Sequence, residues 1–168
     1  MAYEQHIHTS ETFVARCAVV TLSDTRNELT DKSGARIKEL LIDQKHVVAG
    51  YAIIPDDPAK LEELLKGLLG RPDLDVILTN GGTGISQRDQ TIGVIEKLIT
   101  QPLPGFGELF RMLSYQQIGS GAMLSRAIVG LASGKLIFAM PGSTKAVELA
   151  MTKLILPELK HLLMELRK

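Results

Sequence analysis

The chain has 168 residues, of which 45% are hydrophobic and 23% are charged, so it can bury the core of one domain and is not disordered by composition. Lys and Arg total 19, as do Asp and Glu, and the resulting net charge of zero argues against a nucleic-acid or membrane-surface binder. The longest apolar run, counting glycine, is Val47–Ile54, which is too short to span a membrane, and the one cysteine, Cys17, excludes an internal disulfide and favours a cytoplasmic location.

Two strands and a helix are predicted in the first third of the chain. Residues 1–12 are polar and are expected to form a flexible N-terminal arm, which leaves residues 13–168 as a single domain. Within that domain, Ala15–Ser23 is typical of a buried strand, Ser33–His46 of an amphipathic helix, and Val47–Ile54 of a second strand.

The rest of the chain continues to alternate helices with strands. The predicted elements are a helix from Pro58 to Gly70, a strand at Asp75–Thr79, a helix opening near Asp89, a break at Pro102–Gly107 followed by a helix to Gln117, a strand at Lys135–Met140, a helix from Thr144, and a last helix after a bend at Pro157. Strands that alternate with helices of ten or more residues predict an α/β fold with a largely parallel sheet and helices on both faces.

Four polar or glycine-rich segments each follow a predicted strand. They are Ser23-Asp24, Pro55-Asp56-Asp57, Asn80-Gly81-Gly82-Thr83-Gly84 and Pro141-Gly142-Ser143. Parallel strands place their carboxyl ends at one edge of the sheet, which is where such folds bind their ligands. We therefore expect these four segments to border one site.

The glycine-rich segment has two interpretations. Its glycines permit backbone conformations that are closed to other residues and a close approach to a ligand, and successive N–H groups in such a loop can bind a phosphate. Thr83 adds a hydroxyl. The pattern matches neither a Walker loop nor the dinucleotide fingerprint, so that a tight turn and a phosphate-binding loop both fit.

Two carboxylates are candidate magnesium ligands. Asp56 and Asp89 follow strands, and Mg²⁺ bound to phosphates is commonly held by one or two carboxylates and water. Helix capping is the alternative: it is the favoured role of Asp57, and at Asp89 it is compatible with metal binding. Asp24 is a further candidate, with an ordinary turn residue as its alternative.

Hydroxyl groups and one guanidinium complete the candidate set. Ser143 and Thr144 open a predicted helix, where an N-cap is favoured over an anion site. Ser125 and Arg126 could contact a phosphate, although an isolated Arg is usually only solvated. Since no His, Cys or Lys stands out as a catalyst, the sequence disfavours a Ser-His relay and favours phosphoryl or nucleotidyl transfer.

In order along the chain, these segments resemble the MoaB/Mog family of molybdenum cofactor biosynthesis, and its MoaB branch most closely. The resemblance covers about residues 15–160 and rests on Thr21-Leu22-Ser23-Asp24, Pro55-Asp56-Asp57, the glycine-rich segment, Arg88-Asp89-Gln90-Thr91, Pro104-Gly105-Phe106-Gly107-Glu108, Met123-Leu124-Ser125-Arg126-Ala127 and Ala139-Met140-Pro141-Gly142-Ser143. It implies a three-layer α/β/α domain that binds molybdopterin. Active members of the family adenylylate molybdopterin with Mg²⁺ and ATP and release pyrophosphate, and related members form homotrimers or homohexamers.

The resemblance also implies roles for individual residues. Asp56 and Asp89 match the family's essential carboxylates, and Ser114 and Ser125 match its pterin-side serines. The complete predicted substrate-binding set is Ser23, Asp24, Gly81, Gly82, Thr83, Gly84, Ser114, Ser125, Arg126, Pro141, Gly142 and Ser143. Mog-type members usually have a proline where Thr144 stands, so the alternative function is a non-catalytic molybdopterin carrier, or a scaffold for other enzymes of cofactor biosynthesis.

Overall fold

The computed structural model describes residues 13–168 as a six-stranded sheet between two layers of helices. The predicted arm, residues 1–12, lies outside the described residues. The strands are β1 (Arg16–Leu22), β2 (Val47–Ile54), β3 (Val76–Asn80), β4 (Gln101–Pro102), β5 (Ile128–Ala132) and β6 (Lys135–Met140). The helices are α1 (Lys32–Asp43), α2 (Pro58–Leu69), α3 (Thr91–Leu98), α4 (Gly105–Ile118), α5 (Thr144–Ala150) and α6 (Leu156–Leu166), with a 3₁₀ segment at Gly119–Leu124 and a π-helical segment at Met151–Ile155.

The sheet is parallel over most of its width. Its strand order is β2-β1-β3-β6-β5-β4, and the first four of these strands run in the same direction. β5 is antiparallel to both of its neighbours. The predicted α/β architecture is confirmed, and the carboxyl ends of β1, β2, β3 and β6 lie side by side at one edge.

Alternate residues of the central strands face two separate cores. Val19 and Leu78 pack with α1, α4, α5 and α6 on one face, whereas Val20 and Ile77 pack with α2 and α3 on the other. Cys17 is fully buried in the first core, and burial raises the pKa of its thiol. No helix among residues 13–168 combines the length and the apolar character needed to cross a membrane.

The structure contains two strands that the sequence patterns do not predict. β4 has two residues, too few to show a periodicity, and it includes Pro102, which the sequence analysis assigns to a break. β5 is joined to β6 by Ser133 and Gly134, whose φ angles are 49° and 71°. Positive φ at both positions is the requirement of a two-residue type I′ hairpin turn. This hairpin is the reason why the sheet is mixed.

Several helix boundaries differ from the predicted ones: α1 ends at Asp43 and not at His46, and α4 begins at Gly105, inside the predicted break. The helix expected to open near Asp89 begins at Thr91, because the Asp89 carboxylate accepts hydrogen bonds from Ser86 and does not cap the helix. In place of a bend at Pro157, the helix passes through the π-helical segment Met151–Ile155 just ahead of the proline. Pro157 has no N–H with which to continue the α-helical ladder, so that regular bonding is interrupted before it.

Candidate functional site

The carboxyl ends of the four parallel strands open onto a cavity of about 480 Å³. Most of the predicted site residues line it, namely Ser23, Asp24, Asp56, Gly81, Gly82, Thr83, Gly84, Asp89, Ser125, Pro141 and Gly142. The other three lie elsewhere: Ser114 and Ser143 border a neighbouring cavity, and Arg126 lies behind the glycine loop. Each of the four strand-end segments therefore contributes to one site, as their positions along the chain predict.

Asp56 lines this cavity, and one of its two carboxylate oxygens has no hydrogen-bond donor among the described residues. Its Oδ1 atom is buried, and no group among the described residues donates to it. Burial, and then the charges of Asp24 and Asp89, raise the pKa of Asp56 above its ordinary value. A carboxylate that lacks donors and has two anionic neighbours is the kind of group that a bound cation stabilises.

Asp24 ties the loop after β1 to the loop after β2. Its Oδ1 atom accepts a hydrogen bond from the Asp56 N–H at 3.1 Å. Its Oδ2 atom accepts a hydrogen bond from the guanidinium of Arg88, a residue that the sequence analysis does not assign to the site. The pair with Arg88 offsets part of the negative charge that Asp24, Asp56 and Asp89 bring to the cavity.

Asp89 enters the cavity as an ionised carboxylate. Hydrogen bonds from the Ser86 hydroxyl and the backbone, at 2.5 and 3.0 Å for the two Ser86 donors, lower the pKa of Asp89. Asp57, by contrast, caps α2 and accepts hydrogen bonds from the N–H groups of Ala59 and Lys60 at 2.9 and 3.0 Å. The capping alternative is thus confirmed for Asp57 and is wrong for Asp89.

Two glycines allow the loop after β3 to lie against the carboxylates. Gly81 has a φ of 97°, and a Cβ atom at this position would lie 2.3 Å from the Leu22 carbonyl oxygen. Gly82 has a φ of 64°, and its Cβ would lie 2.9 Å from Asp56 Oδ1. The Gly81 N–H donates to the Met140 carbonyl at 3.1 Å, so this amide holds the loop to the end of β6 and is not directed at a ligand.

Arg126 supports the glycine loop from behind. Its Nε donates to the Thr83 carbonyl at 3.1 Å, and its Nη2 donates to the carbonyls of Gly84 and Asp89. The guanidinium is therefore engaged by the backbone of the loop rather than presented to the cavity. Sequence reasoning could not find this role, because it depends on three carbonyl groups that converge only in the folded chain.

Arg26 is the one cationic residue among those that line the cavity in the described part of the chain. It follows β1 by four positions, and no sequence pattern marks it as a site residue. Its Nη2 donates to the Gly142 carbonyl at 3.0 Å, and its Nη1 donates to the Ser33 hydroxyl at 2.7 Å. A guanidinium thus lines the same cavity as the aspartates, next to the turn that follows β6, and forms an ion pair with the buried Asp31 at 3.6 Å.

A second cavity, of about 690 Å³, adjoins the first across the turn after β6. Gly142 lines the first cavity, whereas Ser143 and Thr144 line the second together with the buried Ser114. Ser143 caps α5, since its hydroxyl accepts a hydrogen bond from the Ala146 N–H at 3.1 Å. The N-cap interpretation of Ser143 is confirmed, and the turn divides two spaces that one extended ligand could occupy.

The chain resembles proteins named for molybdenum cofactor biosynthesis. The MoCF_biosynth family model, described as "Probable molybdopterin binding domain", matches residues 14–161. A Halalkalibacterium halodurans protein named molybdenum cofactor biosynthesis protein B is 50% identical over 169 aligned residues, which cover 100% of this chain and 99% of that protein.

Solved structures give the same result. The crystal structure of a protein named molybdenum cofactor biosynthesis protein B superimposes with a TM-score of 0.90 at 52% identity and covers 92% of this chain and 97% of the other. The tungsten cofactor synthesizing protein MoaB from Pyrococcus furiosus superimposes with a TM-score of 0.83 at 35% identity, and covers 92% of this chain and 98% of that one.

Proposed function

Because the chain belongs to the MoCF_biosynth family of molybdopterin-binding domains, we propose that it serves molybdenum cofactor biosynthesis by adenylylating molybdopterin with ATP and Mg²⁺. An oxygen of the molybdopterin phosphate attacks the α-phosphorus of ATP and forms the new P–O bond. The bond from the α-phosphorus to the oxygen that bridges to the β-phosphate breaks, and pyrophosphate leaves. The observation that carries this proposal is the buried Oδ1 atom of Asp56, which lies beside the glycine loop and receives no hydrogen bond from residues 13–168.

The attacking group needs little help from a general base. A phosphate monoester has a second pKa of about 6 and is mostly a dianion at neutral pH. The cavity-lining residues in the described part of the chain include no His, Cys or Lys. The protein's contribution is therefore to position the two phosphates and to neutralise the charge that develops between them.

Asp56 and Asp89 are the residues that would hold Mg²⁺, which supplies charge neutralisation at the phosphate oxygens. Among the described residues, no three His, Cys, Asp or Glu side chains converge to form a complete metal site. That fits Mg²⁺, which keeps several waters and takes the rest of its ligands from carboxylates and substrate phosphates. The raised pKa of Asp56 supports the same assignment, because bound cation charge would offset the repulsion from Asp24 and Asp89.

The two cavities suit the two substrates. The glycine loop and the Pro141–Gly142 turn border the first cavity with the aspartates and provide the room for the ATP phosphates. The second cavity, with Ser114 and Ser143, provides hydroxyls for the polar edge of the pterin. Ser125, the other serine that the resemblance assigns to the pterin, lines the first cavity. The molybdopterin phosphate would then lie near the turn, within reach of the α-phosphorus.

A turnover assay on paired carboxylate variants tests the proposal. Asp56→Asn removes the negative charge of Asp56 from the cavity. We expect the rate of pyrophosphate release in the presence of Mg²⁺, ATP and molybdopterin to fall by about 100-fold or more. Asp57→Asn is the matched control: Asn is as good an N-cap as Asp, and Asp57 does not line the first cavity, so activity stays near that of the wild type. Equal activity in both variants would refute the role given to Asp56.

A molybdopterin carrier is the second candidate function, and one observation favours it. Thr144 stands at the start of α5, where Mog-type sequences have proline. Calorimetry separates the two functions. A carrier binds molybdopterin but shows no Mg²⁺-dependent affinity for ATP, whereas the adenylyltransferase shows both.

A further inference from the structure

Arg26 connects segments of the site that are far apart in sequence. Its backbone N–H donates to the Ser23 hydroxyl at 3.1 Å, which fixes it to the end of β1. Its guanidinium reaches the Gly142 carbonyl after β6 and the Ser33 hydroxyl in the first turn of α1. Arg26 therefore connects three segments, namely the end of β1 through its backbone and the turn after β6 and the start of α1 through its side chain.

The contact with Ser33 continues to the glycine loop. The Ser33 hydroxyl accepts a hydrogen bond from Arg26 Nη1, and its one proton lies between two acceptors, Asn80 Oδ1 at 2.8 Å and Asp31 Oδ1 at 3.1 Å. Asn80, the nearer acceptor, immediately precedes Gly81. The Asn80 amide in turn donates to the Thr21 hydroxyl at 2.9 Å. Asn80 is fully buried, so that these bonds are not in competition with solvent.

The two loops that Arg26 reaches are also in contact with each other. A Cβ on Gly142 would lie 3.1 Å from the Gly81 Cα atom, which shows that the turn after β6 packs directly on the glycine loop. The Gly81 N–H bonds the Met140 carbonyl across the same junction. A shift of Gly142 therefore displaces Gly81, and with it the segment that borders the aspartates.

We propose that Arg26 is a positioning residue that locks the turn after β6 and the glycine loop into one rigid unit. A guanidinium presents its N–H groups in a fixed planar fork and can hold Ser33 and Gly142 at once, whereas the ammonium of lysine is a single point of charge on a flexible stem. The loop coupling follows from the contacts alone. Its consequence for ATP affinity rests on the function proposed above.

Arg71 is a matched control at the opposite end of the sheet. Like Arg26, it is near a carboxylate, that of Asp73, and donates to one backbone carbonyl, that of Ala49. Its side chain is 38% exposed, compared with 32% for Arg26. Arg26 Nη1 also lies 3.6 Å from Oδ1 of Asp31, whose side chain is fully buried, and the Arg26→Met variant loses this ion pair. Asp31 keeps its hydrogen bonds from Thr21, Tyr51 and the Gly34 N–H, so the variant is expected to fold.

Two measurements test the proposal on Arg26→Met, Arg26→Lys and Arg71→Met. In the ligand-free protein, native-state hydrogen exchange should show the Gly81 amide exchanging about tenfold faster in both Arg26 variants, with the core amide of Leu78 much less affected. By calorimetry with ATP and Mg²⁺, both Arg26 variants should bind about tenfold more weakly. Arg71→Met should leave the Gly81 exchange and the ATP affinity within twofold of wild type.

The outcomes separate this inference from the proposed function. Unchanged Gly81 exchange in Arg26→Met overturns the inference, as does wild-type behaviour of Arg26→Lys, since charge without the fork would then suffice. Equal acceleration of the Gly81 and Leu78 amides also overturns it, because it would indicate global destabilisation. If the wild type binds no ATP, the proposed function fails, and the exchange data still decide the role of Arg26.

Discussion

At the scale of single residues, Asp56 has opposite effects on folding and on ligand binding. Its carboxylate is partly buried beside two other aspartates, and the same surroundings raise the pKa of Asp56. The native state therefore binds the Asp56 proton more tightly than the unfolded chain does. Ionisation of Asp56 costs stability in the absence of a cation, and it creates the charge that the proposed reaction requires.

We predict that Asp56→Asn raises the free energy of unfolding at pH 7. For a group whose pKa is raised by folding, the favourable protonated form is present below the unfolded pKa and is lost as the pH rises through the native value. The difference in free energy of unfolding between Asp56→Asn and the wild type should therefore be largest near neutral pH and shrink towards about pH 4, the ordinary pKa of Asp. Urea denaturation over a pH series measures this difference.

Magnesium supplies the control for this prediction. Added Mg²⁺ should stabilise the wild type and reduce the difference in free energy of unfolding between it and Asp56→Asn, because the cation binds the carboxylate only in the native state. A variant that is less stable than the wild type at pH 7 would contradict the role given to Asp56, and so would a difference in free energy that does not change with pH.

The sequence predicts single residues well where neighbouring positions decide their role. Pro58 fixes the start of α2, so that Asp57 is identifiable as its cap and Asp56 as the residue left for the cavity. Asp89 has no such marker, since its partner Ser86 belongs to an irregular turn. The roles of Arg26 and Arg126 depend on backbone carbonyls that lie 37 to 116 positions away in the sequence, which no local pattern contains.

At the scale of elements, alternating apolar runs and helices predict the four parallel strands, and the order of the motifs predicts the family, which the comparisons confirm. β5 is harder to predict, because Gly130 interrupts a run of only five residues. The sequence feature that indicates β5 is the turn that follows it. Ser133 and Gly134 both adopt positive φ, and glycine at the second position is typical of type I′ hairpins.

The hairpin turn yields a prediction about stability. Ser133 adopts a φ of 49°, which is unfavourable for most residues with a Cβ and is tolerated best by Asn among them. We expect Ser133→Asn to raise the free energy of unfolding by about 0.5–1 kcal/mol, as measured by urea denaturation. Ser133→Ala is the control and should give no gain. Equal stabilities for Asn and Ala at this position would show that the turn is not strained.

At the scale of the whole molecule, α4 presents apolar side chains to solvent. Leu109, Met112, Tyr115 and Ile118 recur at intervals of three residues and are 47%, 52%, 64% and 61% exposed. Met123, in the 3₁₀ segment that follows, is 77% exposed. A continuous apolar stripe of this kind is typical of a protein–protein interface, and it suits the homotrimer or homohexamer that the family resemblance implies.

We predict that light scattering finds the wild type as a homotrimer or homohexamer. A double variant, Met112→Glu with Tyr115→Glu, should shift it towards the monomer, because two buried charges would be left without partners at the interface. Ile42→Glu is the control: Ile42 is 61% exposed on α1, outside this stripe, and its replacement should not change the mass. A monomeric wild type would contradict the prediction.

The burial of Cys17 bears on the chemistry that this molecule would handle. Molybdopterin carries a dithiolene, a pair of thiolate-level sulfur atoms that can form a mixed disulfide with a protein thiol when an oxidant removes two electrons. That reaction requires an accessible thiolate on the protein, but the single cysteine of the chain is fully buried in the sheet, and burial raises the pKa of its thiol. If the chain binds molybdopterin as proposed, the ligand would therefore be released without forming a mixed disulfide with the protein.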